Sequence, residues 1–78
     1  MSDQIPHYSI IIEWSDDDHA YVVSLPEWAG QYAMPVASGK TYEEAAARGR
    51  NALENYIQFA REDGQPLPTP HTFASTAR

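Results

Sequence analysis

Residues 39 to 41 read Gly-Lys-Thr, the triplet that closes a phosphate-binding loop. Such a loop needs a further glycine five positions earlier, where this chain has Met34, and Pro35 removes one of the backbone N–H donors that would surround a phosphate. Thr41 and Glu44 instead have capping-box spacing, in which each side chain accepts a hydrogen bond from the other residue's backbone N–H. The stretch therefore predicts a helix start with Gly39 in the preceding turn, and a nucleotide site is the lesser alternative.

The densest group of potential metal ligands is Asp16, Asp17, Asp18 and His19. These residues are adjacent, whereas a calcium-binding loop alternates its ligands, has a glycine at its sharp turn and ends in a bidentate glutamate. We interpret the group as a solvated hairpin turn, with weak cation binding as the alternative.

Catalytic residue sets are not indicated. Glu13 paired with Asp16 or Glu27 would suit acid–base or two-metal chemistry, but the sequence does not fix these carboxylates at one site. No serine is placed near a histidine and an aspartate as a catalytic triad requires. We expect the three histidines, His7, His19 and His71, to be exposed or at edges. We predict no enzymatic activity, no cofactor and no metal site.

The length and charge favour a protein-binding domain. A chain of 78 residues forms one domain at most, and a domain of this size buries only about 60% of the surface of its unfolded chain. Cysteine is absent, so no disulfide supports the small core, and we expect self-association into a dimer or tetramer. The net charge of −6 argues against direct nucleic-acid binding and suits a basic protein partner.

The chain has no apolar run of the roughly 20 residues that a membrane helix needs. Its first residues, MSDQIPHYS, also lack the basic and then apolar order of a signal peptide. We expect a cytoplasmic, soluble protein.

Two alternating segments predict an antiparallel β hairpin. The first is residues 7–14, with Tyr8, Ile10, Ile12 and Trp14 on one face, and the second is residues 20–26. The residues between them, SDDDH, favour a turn.

A loop and a short edge strand are predicted after the hairpin. Pro26 ends the second strand, and Gly30 is free to adopt a positive φ in the loop that follows. A third strand near Val36 is confined to an edge by Pro35.

The period then becomes helical from Tyr42 to about Asp63, and Gly64 fits the position just after the helix. The apolar stripe comprises Ala45, Ala46, Gly49, Ala52, Leu53, Tyr56, Ile57 and Ala60. Residues 65–78 form a proline-rich turn and a short tail, in which residues 72–74 either add an edge strand or fray. The expected fold is α+β, a three-stranded antiparallel sheet with a possible fourth edge strand, packed against one long helix in a single domain of residues 1–78.

The aromatic residues fall into two groups. We expect core packing for Trp14, Tyr21 and Tyr56. For Trp28 and Tyr32, beside the Gly30 loop, an interface role and a structural role remain equally open.

The order of these motifs resembles the HicB-type antitoxin family, specifically its small N-terminal domain. The segments that carry the resemblance are YSIIIEW, SDDDHA, YVVSLPEWAG, SGKTYEEAAARGRNALENYI and GQPLPTP, over roughly residues 7 to 70. The resemblance implies a partial RNase H-like fold. It also implies that the chain binds and blocks a small basic HicA-type toxin, a ribonuclease that cleaves mRNA.

On this interpretation the partner-binding residues are expected among Asp16, Asp17, Asp18, Glu27, Trp28 and Tyr32. Gly30, Gly39, Thr41, Glu44 and Gly64 are expected to be structural. The alternative function is a HicB-fold interaction or small-ligand-binding module without a toxin partner.

Two departures from the family pattern bear on the partner. Many members continue into a DNA-binding domain, which the residues after Pro70 are too few to form, so we expect no operator binding by this chain. Gln31 stands where cysteine is common and Lys40 where an acidic residue is common, which bears on partner choice.

Overall fold

The computed structural model describes residues 7–73 and contains three strands and one long helix. The strands form one antiparallel sheet in the order β1-β2-β3, and helix α1 packs against one face of it. This arrangement confirms the predicted α+β fold. The elements are β1 (Ile11–Ser15), β2 (Ala20–Ser24), a short 3-10 helix (Pro26–Trp28), β3 (Ala37–Gly39) and α1 (Tyr42–Asp63).

The strand register determines which side chains face the helix. Trp14 lies opposite Tyr21, and Tyr21 lies opposite Gly39 on its other side. Val23 is two residues from Tyr21 and therefore shares its face, and Val23 is fully buried. The buried core, to which the helix itself contributes, comprises Val23, Leu25, Trp28, Ala45, Leu53, Ile57 and Ala60.

Two glycines allow the helix to lie close to the sheet. A Cβ atom on Gly49 would lie 2.6 Å from Cγ1 of Val23, and one on Gly39 would lie 2.5 Å from the backbone nitrogen of Ala45. Neither distance can accommodate a side chain without movement of the neighbour. The helical stripe predicted from the sequence is thus buried at most of its positions, although Ala46 is exposed.

The ends of α1 are capped by side-chain and backbone hydrogen bonds. Thr41 is the N-cap, and its Oγ1 accepts a hydrogen bond from Glu44 N at 3.0 Å. Glu44 Oε1 accepts from the backbone N–H of Lys40 at 2.6 Å, so the return bond of the expected capping box goes to Lys40 and not to Thr41. Gly64 has a φ of 69° and ends the helix.

Several local expectations differ from the structure. Gly39 is the last residue of β3 and does not lie in a turn, and β2 ends at Ser24 and not at residue 26. The first strand begins at Ile11 and not at residue 7, because the backbone N–H of Ser9 donates to the carboxylate of Glu27 and not to a neighbouring strand. Gly30 does not adopt a positive φ, and a Cβ there would meet no atom within 4 Å. Residues 72 and 73 belong to no strand, and residue 74 lies outside the described residues.

Candidate partner-binding surface

The acidic turn between β1 and β2 is exposed and organised by local hydrogen bonds. The indole N–H of Trp14 donates to Asp16 Oδ1 at 2.8 Å. The hydroxyl of Ser15 donates to Asp18 Oδ2 at 3.0 Å and accepts from the backbone N–H of Asp18 at 3.3 Å. His19 completes the turn with a φ of 52°. Within residues 7–73, no three histidine, aspartate or glutamate side chains are grouped so that they could hold a metal ion.

Glu27 lies away from the acidic turn, and its carboxylate forms hydrogen bonds within the chain. Its carboxylate accepts hydrogen bonds from the backbone N–H of His71 at 2.8 Å and from the backbone N–H and hydroxyl of Ser9. Burial by itself raises the pKa of Glu27. Hydrogen bonds lower it by more, so the net pKa is below its usual value; they come from the His71 and Ser9 backbones, from the N–H of Glu27 itself and from the Ser9 hydroxyl. Glu27 therefore joins the segment before β1 to the segment after α1.

Trp28 is a core residue. Its side chain is 0% exposed, and its ring meets Tyr8 edge to face with centroids 5.5 Å apart and Tyr56 at 5.8 Å. Its backbone N–H donates to Leu25 O at 2.9 Å, which turns the chain inward after β2. The expectation that Trp28 contacts a partner is therefore corrected, because the folded chain leaves none of its surface accessible.

Tyr32 is half-buried and stacks on Tyr56. The two rings are parallel within 5°, with centroids 3.7 Å apart. Burial, and to a lesser extent the neighbouring Tyr32, raises the pKa of Tyr56. Tyr32 thus covers the helix at the loop side of the core while it keeps part of its ring in solvent.

The structure separates the predicted binding residues into two groups. The acidic turn precedes β2 at Ala20, whereas Glu27, Trp28 and Tyr32 follow the other end of β2 at Ser24. A strand of this length holds its ends well apart, at about 3.3 Å per residue. The predicted residues therefore do not form one continuous surface.

Three neighbouring aromatic residues lie beside the acidic turn, and we call Trp14, Tyr21 and Tyr42 the aromatic strip. Tyr21 is half-buried and packs against the core, as expected, whereas the other two are exposed. The centroids of Trp14 and Tyr21 are 5.2 Å apart, and those of Tyr21 and Tyr42 are 4.3 Å apart. Trp14 is 50% exposed and Tyr42 is 60% exposed. The expectation that Trp14 packs in the core is wrong, because α1 lies mainly over β3 and β2 and leaves the β1 edge partly uncovered.

The strip was not predicted as a binding surface from the sequence. Trp14 has the correct alternation for the helix-facing side, so its pattern indicated burial. Its position immediately before the acidic turn is the one sequence feature that signals exposure, since hairpin ends extend beyond the core.

No helix among residues 7–73 is both long and apolar enough to cross a membrane.

Comparison with known proteins identifies one family. The model of the "HicB_like antitoxin of bacterial toxin-antitoxin system" family matches residues 8–78, which is nearly the whole chain. No curated protein and no solved structure gives a significant match. The chain belongs to the HicB-like antitoxin family of bacterial toxin–antitoxin systems.

Proposed function

We propose that this chain neutralises a small basic toxin of the HicA type, an mRNA-cleaving ribonuclease, by covering the toxin's working surface. The observation that carries the proposal is the family match over residues 8–78, which includes every strand and the helix found within residues 7–73. An mRNA-cleaving partner acts in the cytoplasm, and we place the complex there.

The charge distribution supports binding to a basic protein. The chain has a net charge of −6, and the three aspartates of the exposed turn carry part of it on a short segment. Complementary charge speeds the encounter of two proteins and rejects partners of like charge. The same charge disfavours RNA or DNA as the direct ligand.

Occlusion, and not catalysis, is the mechanism we propose. The carboxylate of Glu27, the glutamate with several hydrogen bonds and a lowered pKa, is committed to Ser9 and His71. The three aspartates of the turn are exposed, and Asp16 and Asp18 accept hydrogen bonds from Trp14 and Ser15. Carboxylates engaged in such bonds within the chain suit a binding role better than proton transfer to a substrate.

We further propose that the chain self-associates as a dimer or tetramer. Only one face of the sheet is covered by the helix, and β1 is an edge strand with Ile11 42% exposed. An uncovered apolar residue on a free strand edge favours pairing with a second copy.

Co-expression with the toxin from the adjacent reading frame tests the function. We expect the wild-type chain to restore growth and to co-purify with the toxin. A Gly39→Val variant is the matched control, because its side chain would collide with the backbone of Ala45, and it should fail in both assays. If the wild-type chain neither restores growth nor co-purifies, the alternative of an interaction module without a toxin partner replaces the antitoxin function.

A further inference from the structure

We propose that the aromatic strip is the element that docks the basic partner, by holding an arginine side chain of the partner against its rings. This inference rests on the proposed function and specifies the surface and the chemistry of the contact. The strip differs from the residues expected from the sequence, since it contains neither Trp28 nor Tyr32.

The strip is continuous because of the strand register. Tyr21 lies between Trp14 on β1 and Gly39 on β3. Gly39 has no side chain to cover the Tyr21 ring, which therefore reaches Tyr42 in the first turn of α1, with centroids 4.3 Å apart. The rings at the two ends of the strip are at least half exposed. The exposed surfaces of Trp14 and Tyr42 are where a planar cation can stack.

The carboxylates around the strip select a cation. Asp16 Oδ1 accepts the indole N–H of Trp14 at 2.8 Å, which places a negative charge at the edge of that ring. Asp17 and Asp18 follow in the exposed turn, and Glu43 follows Tyr42. A guanidinium group that stacks on an aromatic face while it pairs with a neighbouring carboxylate uses both of its binding modes.

The basic residues close to the strip in sequence do not cancel this charge. Arg48 pairs with Glu44 at 3.1 Å and donates to Ser38 O, and Arg50 pairs with Glu54 at 3.3 Å. Lys40 is exposed between Gly39 and Thr41 and is a single charge against several carboxylates.

The occupant is a basic protein and not a second copy of this chain. Two strips that met face to face would bring two acidic turns together, and like charges at an interface are strongly unfavourable.

Phe59 provides a matched control. It is 50% exposed, as Trp14 is, but it lies on α1 next to Gln58, and within residues 7–73 it packs against no other aromatic ring. A general loss of exposed apolar surface would therefore affect Phe59 and Trp14 variants equally.

The test measures the affinity of the full chain for a catalytically inactive form of the adjacent toxin, by calorimetry. We expect Trp14→Ser and Tyr42→Ser to raise Kd about tenfold or more, and Phe59→Ser to leave it within about twofold. Asp16→Asn retains an oxygen for the Trp14 indole and removes only the charge. It should weaken binding most at low salt, and it keeps the test decisive if a Trp14 variant folds poorly.

The outcomes separate this inference from the proposed function. If strip variants bind the toxin as tightly as the wild-type chain, or if Phe59→Ser loses as much affinity, the strip is not the docking element although the antitoxin function stands. If the strip variants instead dissociate an oligomer of the chain and leave toxin affinity unchanged, a second copy occupies the strip and the inference is overturned.

If the wild-type chain does not bind the toxin, the proposed function fails and a second measurement decides the inference. An oligoarginine peptide is titrated into the ¹⁵N-labelled chain, whose two tryptophans give two indole resonances. We expect the Trp14 signal to shift and the buried Trp28 signal to stay, with no shift from oligoglutamate. An unmoved Trp14 signal would contradict the inference.

Discussion

The carboxylate of Glu27 accepts a hydrogen bond from the backbone N–H of His71, at 2.8 Å and across 44 positions of the chain. The same carboxylate accepts from Ser9, just before β1. Nearby, the hydroxyl of Tyr8 donates to Pro68 O. Glu27 therefore holds the segment before the sheet to the segment after the helix.

Replacement of Glu27 by glutamine should destabilise the fold in a pH-dependent way. The folded-state pKa of Glu27 lies below its unfolded value. Its contribution is therefore complete above the unfolded pKa and is lost as pH falls through the lower folded pKa. We expect Glu27→Gln to lower the free energy of unfolding by about 1–3 kcal/mol at neutral pH, with a smaller difference from the wild-type chain in acid. Urea denaturation at several pH values measures both effects.

Glu13→Gln is the matched control for this substitution. Glu13 is an exposed glutamate on β1, and its replacement should change stability by less than about 0.5 kcal/mol. If the free energies of unfolding of the wild-type chain and Glu27→Gln differed by a constant amount from neutral to acid pH, the Glu27 charge would not be what holds the two segments together.

Gly49→Ala should destabilise the protein although alanine favours helices. The alanine preference is worth about 1 kcal/mol, but its Cβ would lie 2.6 Å from Cγ1 of the fully buried Val23. Overpacking of this kind costs about 1–3 kcal/mol, so we expect a net loss of stability, seen as a lower thermal midpoint.

A double-mutant cycle with Val23→Ala identifies the cause. Removal of Cγ1 leaves the new Cβ with ordinary contacts, the closest of them 3.4 Å from Cγ2 of Ile10. In that background Gly49→Ala should stabilise the chain, because the helical preference remains and the collision is gone. Equal effects of Gly49→Ala in both backgrounds would exclude the close contact with Val23 as the reason for glycine.

Thr41→Ala should weaken the start of α1. The Thr41 hydroxyl accepts the Glu44 N–H at 3.0 Å, and loss of such a cap costs about 0.5–2 kcal/mol. Thr41→Ser keeps the acceptor and should remain near wild-type stability. Chemical denaturation followed by far-UV circular dichroism compares the three proteins, and equal stability of all three would remove the cap from this account.

Local patterns predicted the elements of this fold because their causes are local. The helix was expected from Tyr42 to about Asp63 and runs over those residues. The helical period and the glycine after the helix are both signals carried by residues a few positions apart. The β hairpin and a third strand near Val36 were likewise predicted, but the end of β2 and the start of β1 were wrong. That start depends on Glu27, whose bond to Ser9 spans 18 positions.

The two tryptophans show why the binding surface was less predictable. Trp28 lies in a short 3-10 helix that the sequence pattern did not predict, and its burial depends on a turn that places it between Tyr8 and Tyr56. Trp14 has the alternation of a buried residue, but its exposure depends on where α1 lies across the sheet. Both properties arise from tertiary packing, which single-sequence periodicity does not contain.

The measurement that most directly tests the account is mRNA cleavage by the purified adjacent toxin with increasing amounts of this chain. Occlusion by a bound antitoxin predicts that cleavage falls in proportion to the added chain and stops at the stoichiometry of the complex. It also predicts that the chain alone leaves the RNA intact. Cleavage that continues when the chain is in large excess, or RNA cut by the chain itself, would contradict the claim that this HicB-like protein acts by covering its toxin.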